Sequence, residues 1–250
     1  MFTIAVSPCS NPELGLEECF RAYGALGYRR FEMFTSWCKS AANVLDDPRR
    51  YLDAAARYGF AYCCVHLPAL TEDLDASLPQ AVQAARFGAA TGCRCAIVKA
   101  KTKPDFFAGT RALLDAIAEL PLVPVVQNHK GTAITTLDDY LEVLDGVNDP
   151  RLMALLEVGH FHSVGVSWRR GYEALAGRIR HVHVKDQIGA QSVAFGAGEI
   201  DLPGLLARLV ADGYGGDVVV EMETQDKENR LRYLGEALDY IRRLVRDLRA

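Results

Sequence analysis

Short apolar runs alternate along the chain with longer segments in which apolar residues recur every three to four positions. The short runs are rich in β-branched residues and predict buried strands, whereas the longer segments are typical of amphipathic helices. The predicted strands are Thr3–Val6, Arg30–Phe34, Ala61–His66, Cys95–Lys99, Val123–Gln127, Leu152–Glu157, Ile179–Val184 and Asp217–Glu221. The chain is therefore a repeated strand-then-helix sequence.

Several helix starts are marked by capping residues and by prolines of the first turn. The predicted starts are Asp47 before Pro48, Ser77 before Pro79, Thr136 with Asp139 three residues later, Ser167 and Asp201. The last helix has an apolar stripe formed by Leu231, Leu234, Leu238, Ile241, Val245 and Leu248. Arginines lie on its opposite face, as expected of a helix that packs against a core on one side.

Near-continuous apolar strands that are each followed by a helix indicate a parallel sheet covered on both faces. An open doubly wound sheet would normally have a glycine-rich phosphate turn after its first strand, but that turn here reads SPCSNPEL. The length of 250 residues matches one (β/α)8 barrel. We therefore predict an α/β fold, a single TIM barrel, with residues 1–250 forming one domain.

Charge and composition narrow the functional class. The formal net charge of −4 argues against a nucleic-acid-binding protein, which usually has a strongly basic face. No apolar run is long enough for a membrane span, and the N-terminus lacks a basic stretch ahead of an apolar one. We expect a cytoplasmic protein that binds neither nucleic acid nor membrane, and the possibility of a homo-oligomer is left open.

Seven cysteines lie in the first hundred residues, in a pattern that fits neither a disulfide framework nor a zinc motif. Their number is odd, and Cys63 and Cys64 are adjacent. We interpret all seven as small buried apolar residues. They are Cys9, Cys19, Cys38, Cys63, Cys64, Cys93 and Cys95.

The six histidines point to a site, because all of them lie at or near the C-terminal ends of predicted strands. They are His66, His129, His160, His162, His181 and His183. A single histidine of this kind is often a hydrogen-bonded packing residue. In a TIM barrel, however, active sites are built at the C-terminal ends of the strands. Six histidines at one rim therefore favour a functional site there.

Strand alternation indicates which polar side chains share the barrel interior. His181, His183 and Lys185 point the same way in HVHVKD, and Glu221 and Glu223 share a direction in VVVEME. An inward-facing set would consist of Gln127, Glu157, His183 and Glu221. Two carboxylates, one imidazole and one amide carbonyl suit Mn²⁺, Mg²⁺, Co²⁺ or Zn²⁺. We expect one divalent metal ion, with Mn²⁺ favoured.

Seven blocks along nearly the whole chain resemble the sugar phosphate isomerase/epimerase family, whose xylose-isomerase-like TIM barrel also occurs in endonuclease IV. The blocks are FEMF, VHLPAL, QNHKGT, LLEVGHF, HVHVKD, FGAGEIDLPGLLARLVADGYGG and VVVEME. The resemblance implies metal ligation by Gln127, Glu157, His183 and Glu221. It also implies that His160, His66 and Glu32 lie in the substrate pocket and that Lys185-Asp186 is the family's pair after the metal histidine.

The sequence departs from the family pattern at two ligand positions. Glu157 replaces an aspartate, which keeps the charge and lengthens the side chain by one methylene. Gln127 replaces a glutamate, and an amide is not a usable base. In relatives that epimerise, the glutamates of the fifth and eighth strands move a proton on opposite faces of an enediolate. The substitution at Gln127 argues against a symmetric two-base reaction.

The leading hypothesis is a metal-dependent isomerase or epimerase of a small keto-sugar, sugar acid or sugar phosphate. The alternative on the same scaffold is a metal-dependent lyase, a decarboxylase or dehydratase of a keto-sugar acid. A non-catalytic sugar-binding barrel is a weaker alternative, and DNA repair is the weakest. The candidate catalytic residues are Glu221, His160 and Glu157, and the candidate substrate-binding residues are His66, Glu32, Lys185, His129, Lys99 and Trp37.

Overall fold

The computed structural model describes residues 1–248 and contains a closed barrel of parallel strands. The strands are β1 (Thr3–Val6), β2 (Arg30–Met33), β3 (Ala61–His66), β4 (Cys95–Val98), β5 (Val123–Gln127), β6 (Met153–Glu157), β7 (Ile179–Val184), β8 (Asp186–Ile188), β9 (Gln191–Val193) and β10 (Asp217–Val220). The barrel order is β1-β10-β7-β6-β5-β4-β3-β2, and β8 and β9 form a separate antiparallel hairpin. The fold is therefore the predicted TIM barrel.

Helices follow the strands of the barrel and cover its outside. They are α1 (Leu16–Leu26), α2 (Pro48–Arg57), α3 (Leu74–Ala90), α4 (Lys103–Ala116), α5 (Leu137–Val147), α6 (Val158–His162), α7 (Trp168–Ala174), α8 (Leu202–Ala211) and α9 (Arg230–Asp247). Within residues 1–248, none of the helices combines the length and the apolar character that a membrane span requires.

All eight predicted strands are present, with small differences at their ends. The predictions placed Phe34, Lys99, Leu152 and Glu221 inside strands, whereas the structure places each of them one residue outside. The β8–β9 hairpin was not predicted, because it lies in the loop after β7 where an apolar alternation is absent. These shifts place Lys99 and Glu221 at the strand-to-loop junction, where side chains can reach the barrel mouth.

Four of the five predicted helix starts are confirmed, and one is wrong. The side chains of Asp47, Thr136, Ser167 and Asp201 each accept a backbone hydrogen bond at a helix start. The third helix begins at Leu74, not after Ser77, because Oδ1 of Asp73 accepts the first-turn amide of Ala76 at 3.1 Å. Pro79 lies inside α3, where the helix loses one backbone bond.

Part of the barrel interior is filled by a cluster of buried apolar residues. The cluster consists of Ala5, Cys63, Cys64, Cys95, Ile97, Val125, Leu155 and Val219. All seven cysteines are buried as free thiols, which confirms that they serve as small apolar residues. The predicted stripe of the last helix is buried at Leu234, Leu238 and Ile241 but exposed at Leu231, in the first turn of α9, and at Leu248, directly after its end.

Candidate active site and metal centre

A cavity of about 440 Å³ opens where the barrel strands end and their loops begin. This volume lies in the usual range for sites that bind small molecules. Its wall includes Cys9, Phe34, Trp37, His66, Lys99, Phe106, Gln127, His129, His160, Glu221 and Glu223. Residues from several different strands and loops thus converge on one cavity at the C-terminal end of the barrel.

Nδ1 of His183 is the point at which the predicted metal ligands meet. It lies 3.2 Å from Oε2 of Glu157 and 3.1 Å from Oε1 of Glu221. The side-chain nitrogen of Gln127 is 3.4 Å from the same atom. A half-turn of that amide would direct its carbonyl oxygen, which is the metal-binding atom, to this point. The structure therefore brings together all four predicted ligands.

Backbone pairing places these side chains at one level of the barrel. Glu157 is directly opposite His183 in the β6–β7 register, and the amide of Glu221 donates to the carbonyl of Val184 at 3.0 Å. Asn128 fixes the end of β6, because its side chain donates to the carbonyl of Glu157 at 2.9 Å and accepts from the amide of Glu157 at 3.1 Å. The ligand geometry is thus built on strand ends and not on mobile loops.

The donor set fits a divalent cation. Glu157, His183 and Glu221 each offer one ligand atom, and these atoms lie within 4.8 Å of one another. Oε1 of Glu157 accepts the amide of Gly159 at 3.0 Å, whereas its buried Oε2 has no hydrogen-bond partner among residues 1–248. A buried carboxylate oxygen without a donor is costly. A cation at this point would satisfy that oxygen.

Lys185 is buried beside the same carboxylates. Its Nζ lies 2.6 Å from Oε2 of Glu221, 2.6 Å from Oε2 of Glu223 and 3.9 Å from Oε1 of Glu157. The side chain is 1% exposed, and Gly159 packs so closely against it that a Cβ at that position would overlap the Cγ of Lys185. Two carboxylates, those of Glu221 and Glu223, thus already contact the ammonium of this candidate substrate-binding residue. Glu221 contacts Lys185 through one oxygen and faces His183 through the other.

The charges of this cluster determine the protonation of its members in the metal-free protein. Burial would raise the pKa of Glu221, but Lys185 and His183 outweigh it and hold that pKa well below its usual range. Burial would lower the pKa of Lys185, but Glu157, Glu221 and Glu223 raise it well above its usual range. Glu221 is therefore ionised, which is the form that can bind a cation or accept a proton.

Glu32 lies on the other side of the His183 ring. Its Oε1 is 2.9 Å from Nε2 of His183, 3.1 Å from Nε2 of His66 and 3.5 Å from Nε2 of His181. Only the contact with His183 has hydrogen-bond geometry. Glu32 is completely buried, so it does not reach the cavity surface, although the sequence analysis assigned it to the substrate pocket.

His129 and His160 form a second imidazole pair at the cavity wall. Their ring centroids are 3.9 Å apart. Burial lowers the pKa of His160 to about 4, so this ring is uncharged at neutral pH. His162, by contrast, lies outside this group, with its Nε2 3.1 Å from Oε2 of Glu199.

Another part of the cavity wall is aromatic and includes the ammonium group of Lys99. The ring of Phe34 stacks on His66 at a centroid distance of 3.8 Å, and Trp37 packs edge-on against Phe34. Trp37 is 61% exposed and has a φ of +53°, which is uncommon for a non-glycine residue. Nζ of Lys99 is 2.9 Å from Nδ1 of His66. This wall offers an apolar face and an ammonium group to a ligand.

Sequence reasoning missed several residues of the site. Phe34 and Phe106 line the cavity, but an aromatic residue near a strand end has the same signature as a core residue. Asn128 was missed because its role is to hold the backbone of Glu157. Asp186 was noted only as part of a pair, yet its carboxylate accepts the amides of Gln187, Gly196, Gly198 and Ile200. It orders the loop that follows β7.

Comparisons with known proteins identify the family and support the fold. A family model described as a xylose isomerase-like TIM barrel matches residues 20–244. The solved structure of a D-tagatose 3-epimerase-like protein superposes with a TM-score of 0.80, covering 100% of both chains at 15% identity. At that identity the structural likeness supports the fold alone.

Several curated relatives match part of the chain. The inosose dehydratase of Mesomycoplasma hyopneumoniae (strain 7448) is 31% identical over 143 residues, which is 48% of this chain and 47% of the relative. The fructoselysine 3-epimerase of Escherichia coli O157:H7 is 27% identical over 134 residues, covering 53% of this chain and 47% of the relative. The match thus spans about half the length of these relatives.

Proposed function

The chain belongs to the xylose isomerase-like TIM barrel family, and from that premise we propose that it is a divalent-cation-dependent enzyme of carbohydrates. The proposed reaction begins with removal of a proton from the carbon next to a ketone. The observation that supports it most is the convergence of Glu157, Gln127 and Glu221 on Nδ1 of His183. Dehydration and epimerisation, the reactions named for the two relatives, can both begin with this step.

The residues that would hold the cation are Glu157, His183 and Glu221, with the carbonyl of Gln127 as a fourth ligand. When bound, a divalent cation supplies Lewis acidity to a ketone oxygen and favours the negative charge that develops there. Two carboxylates give the site the charge to hold it. Mn²⁺ is the expected ion, and oxygen-rich sites of this kind also accept Mg²⁺, Co²⁺ or Zn²⁺.

Glu221 is the proposed general base. It lies at the cavity wall, and the adjacent ammonium of Lys185 keeps its carboxylate ionised at neutral pH. Lys185 itself is a positioning residue, because Glu221 and Glu223 already occupy its ammonium. General bases in enzymes typically contribute a factor of about 10² to 10⁴ in rate.

We propose dehydration as the reaction that this site supports best. Gln127 stands three strands away from Glu221 in the barrel order, where a second carboxylate base would be needed for a symmetric epimerisation. An amide cannot serve as that base. Elimination requires one base to take the proton and one group to assist the departing hydroxyl, and His129 at the same cavity is available for the second task.

Epimerisation remains the second candidate, because one observation favours it. The ring of His160 is uncharged at neutral pH and lies on the cavity wall with Gln127. It could accept a proton in place of the missing carboxylate. A polyhydroxy ketone suits both candidates: Trp37 would cover an apolar face of the sugar, and Lys99 would donate to a hydroxyl or carboxylate oxygen.

Deuterium exchange tests the shared first step separately from the outcome. The protein, purified without chelator and analysed for metal, would be mixed in D2O with a panel of keto-sugars, sugar acids and keto-cyclitols. We expect metal-dependent exchange at the carbon next to the carbonyl, followed by loss of water. An inverted hydroxyl in place of dehydration would favour the epimerase. No divalent cation bound and no exchange would overturn the enzymatic proposal and favour a sugar-binding barrel.

A further inference from the structure

The buried carboxylate of Glu32 faces the back of the His183 ring and has no route to the cavity. It is 0% exposed, and Oε1 accepts a hydrogen bond from Nε2 of His183 at 2.9 Å. Its other oxygen, Oε2, is buried without a hydrogen-bond partner in the described part of the chain. Keeping a carboxylate in this position is costly. A function that requires a carboxylate would explain why an apolar residue does not occupy this position.

The His183 ring connects this carboxylate to the proposed cation site. Its Nε2 faces Glu32, and its Nδ1 faces Glu157 and Glu221 at 3.2 and 3.1 Å. A neutral imidazole carries one proton, and a nitrogen that binds a cation cannot carry it. If Nδ1 is the ligating atom, the proton must be on Nε2, and the hydrogen-bond acceptor there is Oε1 of Glu32.

We propose that Glu32 is a positioning residue that fixes the tautomer and the orientation of His183 and thereby presents Nδ1 to the cation. This inference rests on the metal site of the proposed function. A carboxylate behind a ligating histidine also raises the basicity of the ring, and loss of such partners typically weakens metal binding by about 10- to 100-fold. His66 and His181 lie around the same oxygen at 3.1 and 3.5 Å and restrict the side chain of Glu32.

A different role for the same oxygen can be distinguished from this one. Glu32, His181 and His183 also have ligand atoms within 4.8 Å of one another, so Oε1 could hold a second cation. That arrangement would require His183 to lose both ring protons and bridge two cations. The positioning role requires only the ordinary neutral ring. The two roles differ in the number of metal ions bound.

The test compares Glu32→Gln and Glu32→Leu with Asp217→Asn. Asp217 is a carboxylate of similar burial, 2% exposed, at the opposite end of the barrel, so it is a matched control. Binding of Mn²⁺ to metal-stripped protein would be measured by calorimetry. We expect about one equivalent in the wild type, about tenfold weaker binding in Glu32→Gln, about 100-fold weaker binding in Glu32→Leu, and no change in Asp217→Asn.

A second readout reports on the tautomer itself. In the Zn²⁺-loaded wild type with ¹⁵N-labelled histidine, His183 should show a protonated Nε2 with a downfield proton signal. That signal should be lost in Glu32→Leu and retained in Asp217→Asn. A residue that only filled space would not alter it. If Glu32→Leu does not fold, the calorimetric comparison of Glu32→Gln with Asp217→Asn carries the test.

The outcomes separate this inference from the proposed function. If the wild type binds Mn²⁺ and both Glu32 variants bind it equally well, the positioning role is wrong and the metal site stands. Two equivalents in the wild type that fall to one in Glu32→Gln would show a ligand and not a positioning residue. If the wild type binds no divalent cation, the proposed metal site is wrong, and the inference fails with it.

Discussion

The barrel buries one carboxylate, Asp217, near its N-terminal end and several carboxylates at its C-terminal end, and the surroundings of the two regions differ. At the N-terminal end, Asp217 accepts from Nε of Arg30 at 2.7 Å and from the terminal nitrogens of Arg30 and Arg94 at 3.1 and 2.7 Å. At the C-terminal end, Glu32 and Glu157 each keep one buried oxygen without a hydrogen-bond partner among residues 1–248.

The difference favours a role in the fold for Asp217 and a role in ligand binding for Glu157. Asp217 has charged donors on both oxygens, so nothing remains for a ligand to satisfy. Oε2 of Glu157 lies beside Nδ1 of His183, where a bound cation would satisfy it, whereas Glu32 lies behind that ring and does not reach the cavity. In TIM barrels the mouth is also the end where chemistry occurs. Carboxylates of similar burial are therefore interpreted differently at the two ends of the barrel.

The largest effect is expected from Glu221→Gln at the mouth. The amide keeps the shape but neither ionises nor accepts a proton, so activity should fall by about 10³-fold or more, a loss of roughly 4 kcal/mol in transition-state stabilisation. Steady-state kinetics on a confirmed substrate would measure it. Retention of full activity would rule out Glu221 as the base, and the thermal midpoint controls for misfolding.

Asp217→Asn, at the N-terminal end of the barrel, should lower the stability of the protein and leave its activity unchanged. It removes the charge that Arg30 and Arg94 share, while Arg94 is 53% exposed in its side chain and can find water. We expect a loss of about 2 kcal/mol in the free energy of unfolding, less than for a fully buried pair. Urea denaturation would measure the loss, and kcat and Mn²⁺ affinity should be unchanged. A drop in metal affinity would contradict the division between the two ends.

The barrel could be predicted because its signals are local. Apolar runs such as those at β3 and β7 alternate with helical periodicity, and a cap such as Thr136 with Asp139 marks a helix start within four residues. The prediction failed at Ser77, where a proline suggested a start that Asp73 had already provided. It also missed the β8–β9 hairpin, whose order depends on contacts between Asp186 and a loop about ten residues away.

The candidate site could be predicted in part, because some of its residues follow a local pattern along the strands. Strand alternation and the family resemblance singled out Gln127, Glu157, His183 and Glu221, which the structure brings to one point. The partners of Lys185 were not predictable, because no pattern in the sequence shows that two carboxylates occupy its ammonium. Neither was the burial of Glu32 behind His183. Both depend on side-chain packing across the barrel.

Gln127→Glu tests whether a further negative charge at the proposed cation site changes Mn²⁺ affinity and stability. A third carboxylate beside Glu157 and Glu221 should tighten Mn²⁺ binding by about tenfold, or roughly 1.4 kcal/mol. It should also lower the thermal midpoint of the metal-free protein, since like charges would then crowd one point. Calorimetry and thermal melts with and without Mn²⁺ measure both effects. A rise in epimerisation relative to dehydration would further indicate that the missing base limits that reaction.

The smallest effect is expected from Arg94→Ala, at the N-terminal end of the barrel. Arg94 donates to Asp217, but Arg30 still contacts both oxygens of that carboxylate after the change. Since the Arg94 side chain is largely solvated, we expect a loss of only about 0.5 kcal/mol in the free energy of unfolding. Urea denaturation of Arg94→Ala, Asp217→Asn and the double variant measures the coupling. A loss as large as that of Asp217→Asn would mean that Arg30 alone cannot satisfy Asp217 and that both arginines are needed.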